Sequence, residues 1–345
     1  MFEGCYTALI TPFMSNDVDM DGLHQLVSFQ IENGVQGIVA VGTTGESPTL
    51  QWDEHNAVIE SIAKQTRNRC ICIAGTGSNN THEAIEATRH AVMAGVEAVL
   101  LVDPYYNGPS SMEIRKEYYT PIAQMFPDVQ IIPYIIPGRT GTQLLPEDLA
   151  ILTQSYTNIQ AVKEATGSID NMKKTRALCG AKVDIISGDD EKTYQMLSDA
   201  DIQASGVISV MANIAPKAVQ EMVMSYRQGN YQKANQLNEA LMPLFKMVTV
   251  ITTENTSLGE VVCRSRNPLP CKTMMRILGM PSGHCRQPSG KMTASGLNCI
   301  VETLRTVFQH NPEILEPAAN FFNINIEERL SNIDFHKQFI YETIE

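Results

Sequence analysis

Positive charge is scarce in this chain: 26 lysines and arginines face 38 aspartates and glutamates, a formal charge of -12 at pH 7. Nucleic acid or an anionic membrane surface is therefore not an expected partner, since either needs clustered basic residues. Long apolar runs are also missing, and none approaches the roughly 20 residues that a membrane-crossing helix requires. The opening residues MFEGCYTALITPF carry neither a basic patch nor the apolar centre of a leader segment. A cytoplasmic location is expected. There is no Cys-x-x-Cys pair among the eight cysteines, which are scattered through apolar runs and loops, so they read as reduced packing residues. Cys263, Cys271, His284 and Cys285 form the one group that tempts a zinc assignment, but their spacing matches no common zinc pattern. Two nucleotide signatures are absent as well. AGTGSNN has only Gly75 and Gly77 of a Gly-x-Gly-x-x-Gly turn, and GTTGE (42–46) lacks the Lys-Ser/Thr of a phosphate loop.

What remains is a body of 345 residues, 43% hydrophobic and 19% charged, large enough to bury a substantial core. Eight short apolar runs rich in β-branched residues occur at 6–13, 37–42, 70–76, 98–106, 130–137, 159–166, 183–189 and 205–213. Most are continuous rather than alternating, the pattern of parallel strands covered on both faces. Amphipathic segments at 21–33, 53–67, 81–94 and 111–126 read as the intervening helices. Asn80 and Glu83 suggest a capping box, and Gly34 and Gly95 suggest helix stops. Strand starts 20 to 33 residues apart fit successive βα units, so an α/β (β/α)8 barrel is expected over 1–224. A C-terminal helical appendix is expected over 225–310, with an acid-rich tail of uncertain structure at 311–345. Residues 252–266 are polar and aperiodic, and periodicity assigns them no element.

In such barrels chemistry gathers where strands end and loops begin. Those positions read GTTGES (42–47), DPYYNGP (103–109), YIIPGRTG (134–141), VKEATG (162–167) and SGDD (187–190). Lys163 lies among Ile159, Ala161, Val162 and Ala165. Burial there favours the neutral amine, the form that attacks a ketone. A strand-end lysine paired to Glu164 is the competing reading. Thr43, Thr44, Tyr106 and Tyr134 are hydroxyls that can relay protons without fixed charge, though each alone also fits a turn or packing role. The GTTGE turn can offer backbone N–H groups to a carboxylate, and Arg139 can clamp an anion or simply be salt-bridged in its loop.

Six ordered motifs, those five and GVISVMAN (206–213), resemble the pyruvate-dependent N-acetylneuraminate lyase/dihydrodipicolinate synthase family, over about 1–244 and more weakly over NPLPCKTMMRILGM. The resemblance implies a lyase in which Lys163 forms a Schiff base with pyruvate. Condensation with L-aspartate-4-semialdehyde would then give 4-hydroxy-tetrahydrodipicolinate, on the route to diaminopimelate and lysine. By the same resemblance Tyr134, Thr43 and Tyr106 transfer protons, with Tyr106 entering a neighbouring subunit's site. Thr44 and Gly45 hold the pyruvate carboxylate, Ile208 contributes its carbonyl, and Arg139 grips the aldehyde substrate's carboxylate. No metal and no organic cofactor are implied. A homotetramer built from dimers is, with a possible L-lysine effector at Ser47, Trp52, His55, Asn79, Glu83 and Tyr105. Two features depart from the family: Ile135-Ile136 stands where Asn-Val follows the tyrosine, and residues 252–266 and 311–345 exceed the usual length. Another aldolase of the family, or a non-catalytic metabolite-binding barrel, are the alternatives.

Overall fold

Each of the eight apolar runs forms a strand, and in the computed structural model they close on one another. Residues 2–344 are described; Met1 and Glu345, the outer ends of the barrel and tail ranges, lie outside the described residues. The strands are β1 (Gly4–Ala8), β2 (Gly37–Ala40), β3 (Ile71–Gly75), β4 (Ala98–Val102), β5 (Gln130–Ile135), β6 (Ala161–Glu164), β7 (Asp184–Ser187) and β8 (Gly206–Ser209). Neighbours pair in parallel all the way round, and β1 completes the ring by pairing with both β8 and β2. The fold is thus a (β/α)8 barrel.

The strands are shorter than the apolar runs, and the first lies earlier than 6–13. The remaining apolar residues continue into loops that pack under the appendix, as Leu9, Ile10 and Met211 do. Asn213 fastens the seam: its Nδ2 donates to the Ala8 carbonyl (2.8 Å), and its Oδ1 accepts from the Ile10 N–H (3.1 Å). Successive side chains of a strand point to opposite faces. Ile132 and Tyr134 accordingly fill the barrel interior, while Ile131 and Ile135 join the outer core beneath the helices. Ile135 therefore points away from the interior that Tyr134 faces.

Helices Met20–Glu32, Trp52–Thr66 and Thr81–Ala94 lie within a residue of their expected bounds. The segment at 111–126 is less regular, with a π-helical stretch over Ile114–Tyr119. The Asn80 cap is half of what was expected. Its side chain accepts from His82 N–H (3.0 Å), but Glu83 accepts from the Ser78 hydroxyl (2.6 Å) instead of closing a reciprocal box. Gly95 and Gly34 take positive φ (86° and 75°) just beyond their helices.

The appendix contains helices Tyr231–Phe245, Leu269–Leu278 and Ala294–His310. The unassigned residues 252–266 belong to an antiparallel hairpin, β9 (Thr249–Thr256) with β10 (Gly259–Arg266). One face of β9 is partly covered, but beyond Val250 it carries Thr252, Glu254 and Thr256, so the apolar alternation that betrays a half-buried strand is absent from the sequence. The tail is ordered by packing. Phe321 and Phe322 lie 5.3 and 5.1 Å from Phe29 of the first barrel helix, and the Arg329 guanidinium donates to the Arg276 and Ile277 carbonyls at a helix C-terminus. His284, one of the tempting zinc group, is engaged by Arg276 (2.8 Å). Among the described residues no helix is long and apolar enough to cross a membrane.

Appendix and barrel are joined by a dry ion pair. Lys272 donates to Glu46 (2.6 Å) with side chains only 1% and 3% exposed, and it also reaches the Thr11 and His284 carbonyls. Burial lowers the Lys272 pKa, while Glu46 opposes that shift. Removing one partner of such a pair strands the other charge without water. We predict that Lys272→Met destabilises the fold by about 3–5 kcal/mol. Urea melts should show the midpoint falling at constant slope; a loss under about 1 kcal/mol would mean that Glu46 finds another partner or neutralises.

Candidate active site

Alternation along β6 turns Ala161 inward and Val162 outward, so Lys163 projects into the barrel and Glu164 away from it. Register sets Lys163 opposite Tyr134 of β5 and Ile186 of β7. Its Nζ lies 4.1 Å from the Tyr134 ring centre, and the residue is 6% exposed. Burial pushes the amine pKa down to about 7, the Asp190 carboxylate opposes that shift, and Arg139 adds to it. An ordinary lysine is nearly all ammonium at neutral pH, whereas here the free amine is far better populated. The pairing with Glu164 does not occur. The Glu164 carboxylate accepts from Thr166 N–H (2.7 Å) and the Asn171 amide (3.0 Å) on the outer face.

Tyr134 is buried, and its phenol pKa is raised by that burial against opposing contributions from Arg139 and a Thr43 hydrogen bond. It remains a neutral proton carrier. Thr43 belongs to the turn after β2, which is held from several sides. Thr44 Oγ1 accepts from Asn267 Nδ2 (2.9 Å), the Gly45 carbonyl accepts from Thr11 (2.7 Å), and Glu46 is fixed by Lys272. The Glu46 and Ser47 amides bond inside the turn, to the Thr43 and Gly42 carbonyls. Those of Thr44 and Gly45 have no acceptor among the described residues. Two adjacent N–H groups without an acceptor in their own turn can receive a carboxylate.

Arg139 sits in the short helix Pro137–Thr140 after β5 and reaches the Asn267 carbonyl (3.4 Å). Ile208 is buried among the inward side chains of β8. Tyr106 stands apart. It is 80% exposed, and Asn107 and Gly108 after it both take left-handed φ (62° and 54°). Its loop is anchored by Asn79, whose Oδ1 accepts from the Tyr105 and Tyr106 amides (2.7 and 2.9 Å).

A cavity of about 660 Å³ is lined at one end by Thr43, Tyr134 and Arg139. The same cavity is lined by Ser47, Trp52, His55, Asn79, Glu83 and Tyr105. His55 is buried with its pKa lowered to about 4 by desolvation; Nε2 bonds the Gly75 carbonyl (3.1 Å), leaving Nδ1 without a partner among the described residues.

Three residues were not singled out by sequence. Asp190 ties β7 to β8, accepting from Ser209 Oγ (2.5 Å) and the Val210 amide (2.9 Å); burial raises its pKa to about 6. Asn267 joins the appendix to Thr44. Gly188 leaves room for Lys163, since a Cβ there would meet Lys163 Cε at 3.0 Å and Ala165 Cβ at 2.8 Å. The SGDD motif pointed to this corner without saying which residue mattered.

The model of the dihydrodipicolinate synthetase family matches residues 1–307. The chain belongs to this family. A relative named 4-hydroxy-tetrahydrodipicolinate synthase, from Methanocaldococcus jannaschii, is 41% identical over 293 residues, covering 85% of this chain and 94% of the relative. The solved 4-hydroxy-tetrahydrodipicolinate synthase from Methylacidiphilum fumariolicum superposes with TM-score 0.83 at 34% identity, covering 92% of this chain and 99% of the other. A DHDPS structure from Cyanidioschyzon merolae, described with lysine bound, superposes with TM-score 0.80 at 32% identity over 89% of this chain and 98% of that one. The clearance at Gly188 bears directly on Lys163. We predict that Gly188→Val lowers turnover at least about 10-fold while circular dichroism and melting stay near wild type. Full activity in the folded variant would show that Lys163 does not need that space.

Proposed function

We propose that this chain is a lyase that condenses pyruvate with L-aspartate-4-semialdehyde to 4-hydroxy-tetrahydrodipicolinate, with Lys163 as the covalent residue. The observation that carries this reading is a buried amine, its pKa near 7, over the ring of a neutral tyrosine. Lys163 Nζ attacks the pyruvate C2, and the carbinolamine loses water to give the imine. The Thr44 and Gly45 amides hold the pyruvate carboxylate, with the Ile208 carbonyl nearby. Tyr134 and Thr43 move the protons, including the one that leaves C3 to form the enamine. The enamine carbon attacks the aldehyde, whose own carboxylate Arg139 binds. The substrate amine then adds to C2 and expels Lys163, closing the ring. One water is released overall, and the lysine returns as free amine.

Tyr106 takes its part in the relay from a partner subunit. Its exposure, with that of Trp52 and Tyr105, supports an assembly through this face, and a tetramer of two such dimers is the expected form. L-lysine is the proposed effector of the far end of the cavity. Glu83 and the free His55 Nδ1 accept its ammonium groups, Trp52 covers its stem, and Ser47 and Tyr105 complete the wall. Since Asn79 Oδ1 is committed to the Tyr105–Tyr106 turn, only its Nδ2 can meet the lysine carboxylate.

Borohydride trapping with pyruvate should label Lys163 and leave Lys163→Ala unlabelled. The neutral amine is the reactive form, so the initial trapping rate should rise with pH through about 7 rather than near 10.5. Absence of label, or preference for a sugar-derived aldehyde in a coupled assay, would refute the proposal. Mixing Tyr106→Phe with Lys163→Ala subunits should restore activity if Tyr106 is shared; no recovery after verified exchange would refute sharing. Glu83→Ala should weaken lysine inhibition. An enzyme indifferent to millimolar lysine, with no heat on titration, would remove the effector from the account.

A further inference from the structure

A second cleft, of about 680 Å³, lies between the hairpin, the loop around Lys291 and the end of the tail. Its fifteen lining residues include Arg139, Arg264, Arg266 and Lys291, and among the described residues no aspartate or glutamate lines it. In a chain with 38 acidic residues against 26 basic ones, that is a local inversion of the overall charge. Strand geometry produces part of it. Arg264 and Arg266 are two residues apart on β10 and therefore share a face, and their cross-strand partners on β9, Ile251 and Thr249, are uncharged. Glu260, on the same face, is four residues from Arg264, or roughly 13 Å along the strand.

None of the four cations is in an ion pair among the described residues. Arg139 and Arg266 spend one guanidinium N–H each on a backbone carbonyl, those of Asn267 (3.4 Å) and Gly138 (3.2 Å). Glu254 of β9 is held by the Ser295 hydroxyl (3.0 Å), and neither it nor Glu342, between Tyr341 and Thr343, lines the cleft. Hydroxyls of Ser289 and Tyr341 complete the wall, and Gly290 lacks the side chain that would collide with the Tyr341 ring oxygen. Part of this surface, Tyr341 to Ile344, follows the residues that match the family model.

Arg139 lines this cleft and the reaction cavity alike, so one guanidinium is a wall common to both. The two bonds across the junction, Arg266 to Gly138 and Arg139 to Asn267, tie the hairpin base to the turn that carries Arg139.

We propose that this cleft binds a small oxyanion bearing two or more negative charges, and that its occupation draws Arg139 away from the reaction cavity. Guanidinium forks match the paired oxygens of carboxylates and phosphates, and the cleft is large enough for an anion of metabolite size. Bound there, the anion competes for Arg139 with the carboxylate of the aldehyde substrate. The binding half of this proposal is independent of the proposed reaction; only the kinetic half rests on the assigned role of Arg139.

The test titrates citrate and, separately, inorganic pyrophosphate into the full chain by calorimetry at constant ionic strength, with wild type and the double variant Arg264→Ala/Lys291→Ala. Wild type should bind at least one of the two with a dissociation constant below about 1 mM, and the double variant should weaken it at least roughly 10-fold. Preference between the probes separates a carboxylate ligand from a phosphate one. The double variant should keep its basal turnover. In wild type the bound probe should raise KM for the aldehyde and leave KM for pyruvate unchanged, and the double variant should lose that effect. No binding of either probe up to about 20 mM, or equal binding by the double variant, overturns the site. Binding that leaves the aldehyde KM untouched overturns the coupling through Arg139.

Discussion

The arrangement of this barrel's interior turns on keeping water from one amine, that of Lys163. Lysine is nucleophilic only as the neutral base, and in water that form is about one part in a few thousand at pH 7. The interior around Lys163 is lined by Tyr134, Ile186 and Ile208, so the ammonium gives up hydration without gaining an adjacent counter-ion. The shift to about 7 follows mainly from that loss. Strand register supplies the remaining requirement, because Tyr134 is the direct cross-strand neighbour of Lys163.

The appendix is part of the site. A (β/α)8 barrel leaves its C-terminal loops open to solvent unless something covers them. Here the segment from Asn267 to Lys272 crosses the loop after β2, with Asn267 bonding Thr44 and Lys272 bonding Glu46. A turn fixed on both sides can leave the intervening Thr44 and Gly45 amides without an acceptor in the turn, because the loop cannot relax to satisfy them. The tail buttresses the same helix, through Arg329 on its terminal carbonyls.

The barrel was legible because parallel strands covered on both faces must be apolar along their whole length, and eight such runs at βα spacing admit few topologies. The burial of Lys163 was legible for a related reason, being a charge set among Ala161, Val162 and Ala165, while its proposed covalent role came from the resemblance of the ordered motifs. Its partner was not: adjacency suggested Glu164, and only alternation along β6 sends that carboxylate to the outer face. The hairpin was invisible because the partly covered face of β9 is polar beyond Val250, with Thr252, Glu254 and Thr256, which removes the periodic signal. Gly188, Asn267 and Arg264 were invisible for another reason. A glycine required for clearance, an amide that reaches back 223 residues to Thr44 and an arginine whose cleft is closed by the tail all depend on contacts that local sequence does not encode.

The choice of proton carriers follows from the state of the amine. A carboxylate within about 4–6 Å would hold Lys163 as ammonium and undo the desolvation. The buried carboxylates of this region are each occupied elsewhere: Asp103 by Tyr119 and the Leu144 amide, Glu164 by Thr166 and Asn171, Asp190 by Ser209 and the Val210 amide. Asp190 still raises the Lys163 pKa, but Arg139 pulls it the other way, and burial exceeds both. Groups that carry protons next to this amine must therefore be uncharged in both the donor and acceptor roles they play at rest. Phenol and alcohol hydroxyls meet that condition, and the burial that frees the amine also keeps the Tyr134 phenol protonated. One physical cause thus sets the amine of Lys163 and the phenol of Tyr134 in compatible states.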